Sequence, residues 1–324
     1  MPNIISHTIF IEDVIEDIKD EQLKQLFKKY PNEYLIGTNG PDFLFFHDVF
    51  PLWKKTNTSI AKFGTRLHRE AIHAFYESAL TTYQKQEDTA QKEAMKVYVL
   101  AHYLHWQLDS VMHPYVVYFS GFGKPYSASH HHRLESMMDT INLKRFRKKS
   151  VKRYKTYENC RLGRYSERVI TLVYQDAIRA CFDEDIKAKD ISKALADWRK
   201  VQRYLHDPSG FKFRLLQGLE MLARKQWELS GNIVRTKIDH YDEVLNTNRI
   251  AWKHPVSGEV YNDTHDDRFI FAKREAKKGL ALWNAALSSN DISAFLEFLD
   301  HKTYANGIKG SQKRLYKCDI YEKK

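Results

Sequence analysis

Ala101–Tyr115 reads AHYLHWQLDSVMHPY, and His130–Asp139 reads HHHRLESMMD. Taken as helix, the first stretch places His105, Asp109 and His113 at i, i+4 and i+8, so imidazole, carboxylate and imidazole lie in one column. The second places His131 and Glu135 at i and i+4, with His130 and His132 as alternatives one step of register away. Neutral imidazole nitrogen and carboxylate oxygen are the donors that suit zinc and similar divalent ions. Packing alone is a poor explanation for so many of them, because unpaired buried carboxylates and imidazoles are costly to desolvate. The spacing predicts helices and a metal site together.

The composition points to the same fold class. The chain has 324 residues, 43% of them hydrophobic and 13% aromatic, enough to bury a substantial core. Its 13 glycines and 8 prolines are few for that length, which disfavours a turn-rich all-β fold and favours long helices. There is no Gly-rich phosphate loop, GxGxxG, GxSxG or HExxH, and no alternating strand pattern, which argues against doubly wound nucleotide-binding folds. The His/Asp/Glu set is thus the one coherent chemical signal. Cys160, Cys181 and Cys318 are too scattered for a disulfide framework or a thiolate zinc site, and fit a reducing interior. The first residues show no basic start followed by a long apolar run, so neither a signal peptide nor a spanning helix is expected, and the expected location is cytoplasmic. The net charge of +11 is uneven: Lys144–Lys155, KRFRKKSVKRYK, has eight basic residues and no acidic one. Such a run is a solvated face or a contact for an anionic surface or nucleic acid.

Along the chain, apolar periodicity predicts a helix over about Ile9 to Lys29, stopped by Pro31, with His7 just upstream. Tyr34–Pro51, YLIGTNGPDFLFFHDVFP, reads as a Gly/Pro-punctuated apolar loop carrying Asp42 and His47. Arg66–Leu80 reads as a helix with His68 and His73 on different faces, and Glu93–Tyr118 as a long central helix that Pro114 should kink or end just after His113. Four amphipathic segments follow Tyr154. The expectation is one all-α, multi-helix domain over 1–324, with the metal site mainly within 1–140 and 150–324 as helical scaffold and cleft wall.

His7, Gly40-Pro41-Asp42, LHRE around His68, HYLHWQLDSVMHPY and HHRLE resemble the zinc-dependent phospholipase C family, whose fold is also used by zinc-dependent nucleases that prefer single strands. WKHPVSGEVYNDTHDDRF and DHKTYANG look like the later part of its bacterial members. The resemblance implies an all-helical fold with two or three zinc ions in a cleft. Asp42, His68, His105 and Asp109 would match the ligands of one ion, and His113, His131 and Glu135 those of a second. His7 and Asp109 would join the amine and carbonyl of the first mature residue at a third, with Pro2 in that place if Met1 is removed. Hydrolysis of a phosphodiester, possible on a phospholipid head group, would then use metal-activated water, with Asp42 as candidate general base and no side-chain nucleophile. Phe43, Phe45, Phe46, Trp106 and Tyr115 would wall the cleft or fill the core, and His47, His73 and His102 would be structural. Two alternatives stand beside this: a nuclease or phosphatase on the same fold, which the basic run supports, and a non-catalytic helical metal-binding protein.

Overall fold

The computed structural model describes residues 4–50, 58–310 and 312–322. Among these the chain is helical, with one antiparallel pair of two-residue strands, β1 (Trp252–Lys253) and β2 (Val260–Tyr261). The helices of the first half are α1 (Ile4–Glu16), α2 (Glu21–Lys29), α3 (Pro31–Gly37), α4 (Ser59–Leu67), α5 (Ile72–Gln84), α6 (Thr89–Ser120) and α7 (Ser127–Arg147). Those of the second are α8 (Ser166–Phe182), α9 (Ala188–Leu205), α10 (Phe211–Leu222), α11 (Tyr241–Leu245), α12 (His265–Ser289) and α13 (Ser293–Leu299). No helix among the described residues is long and apolar enough to cross a membrane.

The fold is wrapped around α6. Asp88 starts it by accepting the Gln91 N–H at 2.7 Å, which satisfies one of the donors a helix N-terminus leaves open. From Val97 to Val117 every residue is buried, the condition of a helix enclosed on all sides. α1, α3, α7, α8 and α12 supply that enclosure. Trp283 of α12 is wholly buried against α6 and donates its indole N–H to the Val99 carbonyl at 3.2 Å. One apolar cluster joins side chains from α1 through α13, and a smaller one, with Tyr115, Leu134, Met138 and Trp252, covers the C-terminal part of α6. The three cysteines are free thiols.

The structure departs from periodicity at four places. The expected helix over Ile9–Lys29 is two helices, because Asp20 leaves the helical path and its carboxylate caps α2 through the Leu23 N–H at 3.0 Å; His7 lies inside α1 instead of upstream of a helix. Arg66–Leu80 also divides: α4 ends at Leu67, and Ala71, at φ +60°, turns the chain into α5. The apolar loop is partly helical, since Tyr34–Gly37 completes α3 and Asp42–Phe46 forms a 3-10 turn; its last residue, Pro51, lies outside the described residues.

Pro114 neither ends nor replaces α6, which continues to Ser120. Proline has no N–H for the carbonyl four residues back, here that of Ser110. Gly307 packs on that carbonyl, so closely that a Cβ there would lie 2.0 Å from the Ser110 oxygen, and its φ of +65° suits glycine. The Thr303–Gly307 turn that holds it, closed by the Gly307 N–H on the Thr303 carbonyl at 2.9 Å, also reaches the side chain of His113. Gly307→Ala is therefore expected to lower the unfolding free energy by about 2 kcal/mol, read as a shift of the urea midpoint.

Candidate metal centre

Five separate pieces of chain deliver the donors. His7 comes from α1, Asp42 from the first residue of the 3-10 turn, and His68 from the C-cap of α4. His105, Asp109 and His113 come from α6, and His131 and Glu135 from α7. They converge as three groups: His7 with His105 and Asp109, Asp42 with His68 and His105, and His113 with His131 and Glu135. Within each group the ligand atoms lie within 4.8 Å of one another, so each is geometrically able to hold a metal ion. His105 is common to two groups, where the resemblance gave that place to Asp109. One imidazole nitrogen serves one ion, so those two groups are neighbours competing for the same ring.

Second partners set which ring nitrogen faces inward. A carbonyl only accepts, so His68 Nδ1 donates to Gly64 (2.7 Å), His105 Nδ1 to Thr38 (3.0 Å) and His113 Nδ1 to Tyr304 (2.7 Å). Each neutral ring then carries its lone pair on Nε2, the arrangement that orients metal-binding histidines. His105 Nε2 lies 3.2 Å from Asp109 Oδ2 and 3.8 Å from Asp42 Oδ1 without a well-aligned hydrogen bond to either. His68 Nε2 is 3.0 Å from Asp42 Oδ1, and His131 Nε2 is 2.9 Å from Glu135 Oε1. In His68 and His105, where Nδ1 carries the proton, a lone pair facing a carboxylate oxygen at that range is repelled until a proton or a cation lies between them.

The titration directions describe the same demand for positive charge. Burial lowers His105, but the Asp109 and Asp42 carboxylates outweigh it and hold the ring above its ordinary value. Burial works against the ionised Asp109 carboxyl, yet His113 and His105 keep it well below the usual range. Burial pushes Glu135 up and His7 and His113 down. His7 stacks on His105 at 4.3 Å, and its Nε2 is 3.1 Å from Asp109 Oδ1. Carboxylates buried among neutral imidazoles are compensated by divalent cations, and the residues present fit such ions.

Two supports hold these groups in place. Gly40, at φ +46°, brings the loop before Asp42 against the His105 ring, where a Cβ would come within 2.3 Å of Cδ2. Asp139, fully buried on α7, accepts the N–H of Ile5 (3.1 Å), the N–H of Ser6 (2.8 Å) and the Ser6 hydroxyl (2.6 Å), tying α7 to the first turn of α1 one residue before His7. Burial pushes the Asp139 carboxyl up to about 7 against the pull of those donors. Asp139 lies in the quoted HHHRLESMMD stretch, four residues past Glu135, and its spacing was a usable signal.

The remaining histidines are elsewhere. Of the three neighbours on α7, His131 joins the metal group, whereas His130 bonds Asp319 at 2.8 Å and His132 lines the cleft. His47 sits between Asp48 and Asp190, and His73 stacks on His301. The third site of the resemblance includes Met1 or Pro2, which lie outside the described residues.

Asp42, His68, His113, His131 and Glu135 open onto one cleft of about 500 Å³. Phe45 and Phe46 wall it, while Phe43, Trp106 and Tyr115 are core. The second half of the chain adds Trp198, Gln202, Asn232, Ala305 and Arg314. Arg69 and Arg314 are cationic lining residues to which sequence reasoning assigned no role. Arg314 is fixed by Asn306 Oδ1 (3.2 Å) and the Ala305 carbonyl (3.1 Å), and burial, then the like charge of Arg69, lowers its pKa. Nothing in the spacing of the chain links Arg314 to the histidines. In the basic run, Arg145 is committed to Asp266 and Arg147 to Glu12 and Asp13, whereas Lys148, Lys149, Lys152, Arg153 and Lys155 line a separate groove. No protein-family model matches the chain, and no match is found among curated proteins or solved structures.

His102 shows how a neighbouring histidine behaves outside the metal groups. It is buried, stacks on Phe75 at 4.4 Å, and burial holds it well below its ordinary value. The folded ring stays neutral while the unfolded one takes up a proton below about pH 6.5, so its contribution to stability is lost as pH falls through that value. In chelator-treated protein, His102→Phe is expected to reduce the loss of unfolding free energy between about pH 6.5 and 5 by up to about 2 kcal/mol in urea titrations.

Proposed function

We propose that the chain is a metal-dependent phosphodiester hydrolase of the phospholipase C type, acting on a lipid head group or a related soluble phosphodiester with zinc as its metal. The observation that carries this is the convergence of His7, Asp42, His68, His105, Asp109, His113, His131 and Glu135, eight residues scattered over the first half of the chain, into three donor groups, of which Asp42, His68, His113, His131 and Glu135 open onto one cleft while His7, His105 and Asp109 are fully buried. A structural zinc site closes its four positions with protein ligands, whereas a catalytic one stays open to the cleft. The exposure of Asp42, His68 and the His113 group to a 500 Å³ cavity favours the second kind.

Bound divalent ions supply Lewis acidity toward the phosphoryl oxygens and a water ionised near neutral pH. The chain does the rest. The carbonyls of Gly64, Thr38 and Tyr304 hold the imidazoles in the ligating tautomer. Asp42, at the cleft wall beside His68, takes the proton from the attacking water. Arg69 and Arg314 face the same cavity and pair with the phosphate oxygens that do not react, the geometry guanidinium groups favour. Phe45, Phe46 and Trp198 offer an apolar wall to the leaving group.

A second reading, a nuclease or phosphatase on the same fold, is favoured by the groove of Lys148–Lys155, whose cations suit a phosphate backbone. Turnover of a short-chain phosphatidylcholine against a single-stranded oligonucleotide separates the two.

Metal analysis is expected to find two or three zinc ions per chain, matching the donor groups. His105→Ala and Asp109→Asn are each expected to lower hydrolysis of bis(p-nitrophenyl) phosphate by about a thousandfold or more. Full activity in both variants overturns the assignment. Arg314→Gln is expected to raise KM and lower kcat/KM about tenfold, with metal content unchanged.

A further inference from the structure

α10 carries an apolar face that none of the described residues covers. Phe211, Leu215, Leu219 and Leu222 are each more than half exposed, Leu222 by 82%. At 3.6 residues per turn they fall within an arc of about 80°, opposite Phe213 and Glu220. Those two point inward: Phe213 is buried under the Arg235 guanidinium at 3.8 Å, and Glu220 accepts the Leu229 N–H, the Ser230 N–H and the Ser230 hydroxyl. The register of α10 is therefore fixed from its buried side, and its leucines are held outward.

Cations accompany this face in the sequence. Lys200, Arg203, Lys212, Arg214, Arg224 and Lys225 lie in the segment from Lys200 to Lys225 against two acids, Asp207 and Glu220; Lys200 packs over the Phe50 ring, Arg203 over that of Tyr157, and Lys225 pairs with Glu228. Both acids are spent on backbone N–H groups, Asp207 on that of Phe213 at 2.8 Å. Lys155, from the basic run, is close enough to His206 to act on it together with Lys212, so that run and the start of α10 share one side of the molecule. The cleft is close by as well. Ser230–Asn232, the turn that Glu220 holds, packs on both α7 and α10, and its Asn232 lines the cleft.

We infer that α10 is an interfacial helix that seats the protein on an anionic lipid bilayer, with Phe211, Leu215, Leu219 and Leu222 entering the headgroup boundary beside the mouth of the cleft. A helix with leucines on one face and lysines and arginines around it lies in the plane of such a surface. Only Phe211 of the four offers a ring for a base to stack on, and three leucines offer none, which disfavours a nucleic acid. Like charges flanking the stripe disfavour a second copy meeting it face to face. The inference deepens the proposed hydrolase and rests on it only in making the lipid a substrate; docking itself depends on the apolar face of α10 and the cations beside it.

Flotation with vesicles of phosphatidylcholine and phosphatidylglycerol in equal parts tests the two separately. The full chain is expected to float with them, and more weakly with phosphatidylcholine alone. Leu215→Gln/Leu219→Gln/Leu222→Gln is expected to reduce the bound fraction about tenfold or more. Its circular dichroism and its turnover of a soluble phosphodiester stay unchanged. Arg214→Glu/Arg224→Glu loses only the phosphatidylglycerol-dependent part. A wild-type chain that does not float, or a leucine variant that floats equally well, overturns the inference. Loss of oligonucleotide binding or of a dimer by the same leucine variant, with flotation intact, also overturns it. Flotation without hydrolysis of any phosphodiester supports the docking surface and counts against the hydrolase; hydrolysis without flotation does the reverse.

Discussion

His105 and Asp109 face each other across 3.2 Å at wholly buried positions in the middle of α6, with the ring proton of His105 committed to the Thr38 carbonyl on the far side. Two electron-rich atoms are thus aimed at one point, and something positive has to stand there. Buried carboxylates and imidazoles left without such a charge would cost several kcal/mol each. Much of the surrounding structure keeps those atoms pointed inward. α3 ends where its last turn can offer Thr38, Gly40 brings the next loop onto the ring, and Asp139 fixes the start of α1 so that His7 arrives beside it.

The helical class and the donor set were legible because both depend on local spacing. His105, Asp109 and His113 repeat every four residues in a largely apolar stretch, and His131 with Glu135 keeps the same interval. A buried helix has no other use for that pattern. Breaks between helices were less legible. The apolar period runs on across Asp17–Asp20 and across His68–Ala71, so periodicity alone joins what a capping carboxylate and a single left-handed residue divide. Pro114 misleads in the opposite direction. Its local rule is correct, but the carbonyl it leaves open is met by Gly307, nearly two hundred residues later, and only the folded chain brings them together.

The same distinction explains what was missed in the site. Arg314 and the Tyr304 carbonyl lie far beyond the histidines in sequence, in a segment with little helical periodicity, and reach the cleft because the chain after α13 folds back over α6. No spacing rule relates them to residues near 110. Asp139 is a different case. It follows Glu135 by one helical turn and falls on the same face, but spacing assigns it no role, because its partners are the N–H groups and hydroxyl of a distant helix.

Helix geometry also fixes how far apart the donor groups lie. Eight residues separate His105 from His113, a rise of about 12 Å along the axis. Asp109 is halfway, about 6 Å from each. His105 turns toward α1 and α3, while His113, held by Tyr304, turns toward α7, so the column that looks uniform in sequence serves two sides of one helix. Asp109 lies between two imidazoles of the centre: its Oδ2 is 3.2 Å from His105 Nε2 and its Oδ1 is 3.1 Å from His7 Nε2. A carboxylate has two oxygens and can address both neighbours at once, which an imidazole cannot do without giving up the hydrogen bond that orients it. One residue inserted between His105 and His113 would rotate one relative to the other by about 100° and take it off its donor group, so the four-residue interval is the dimension on which the centre is built.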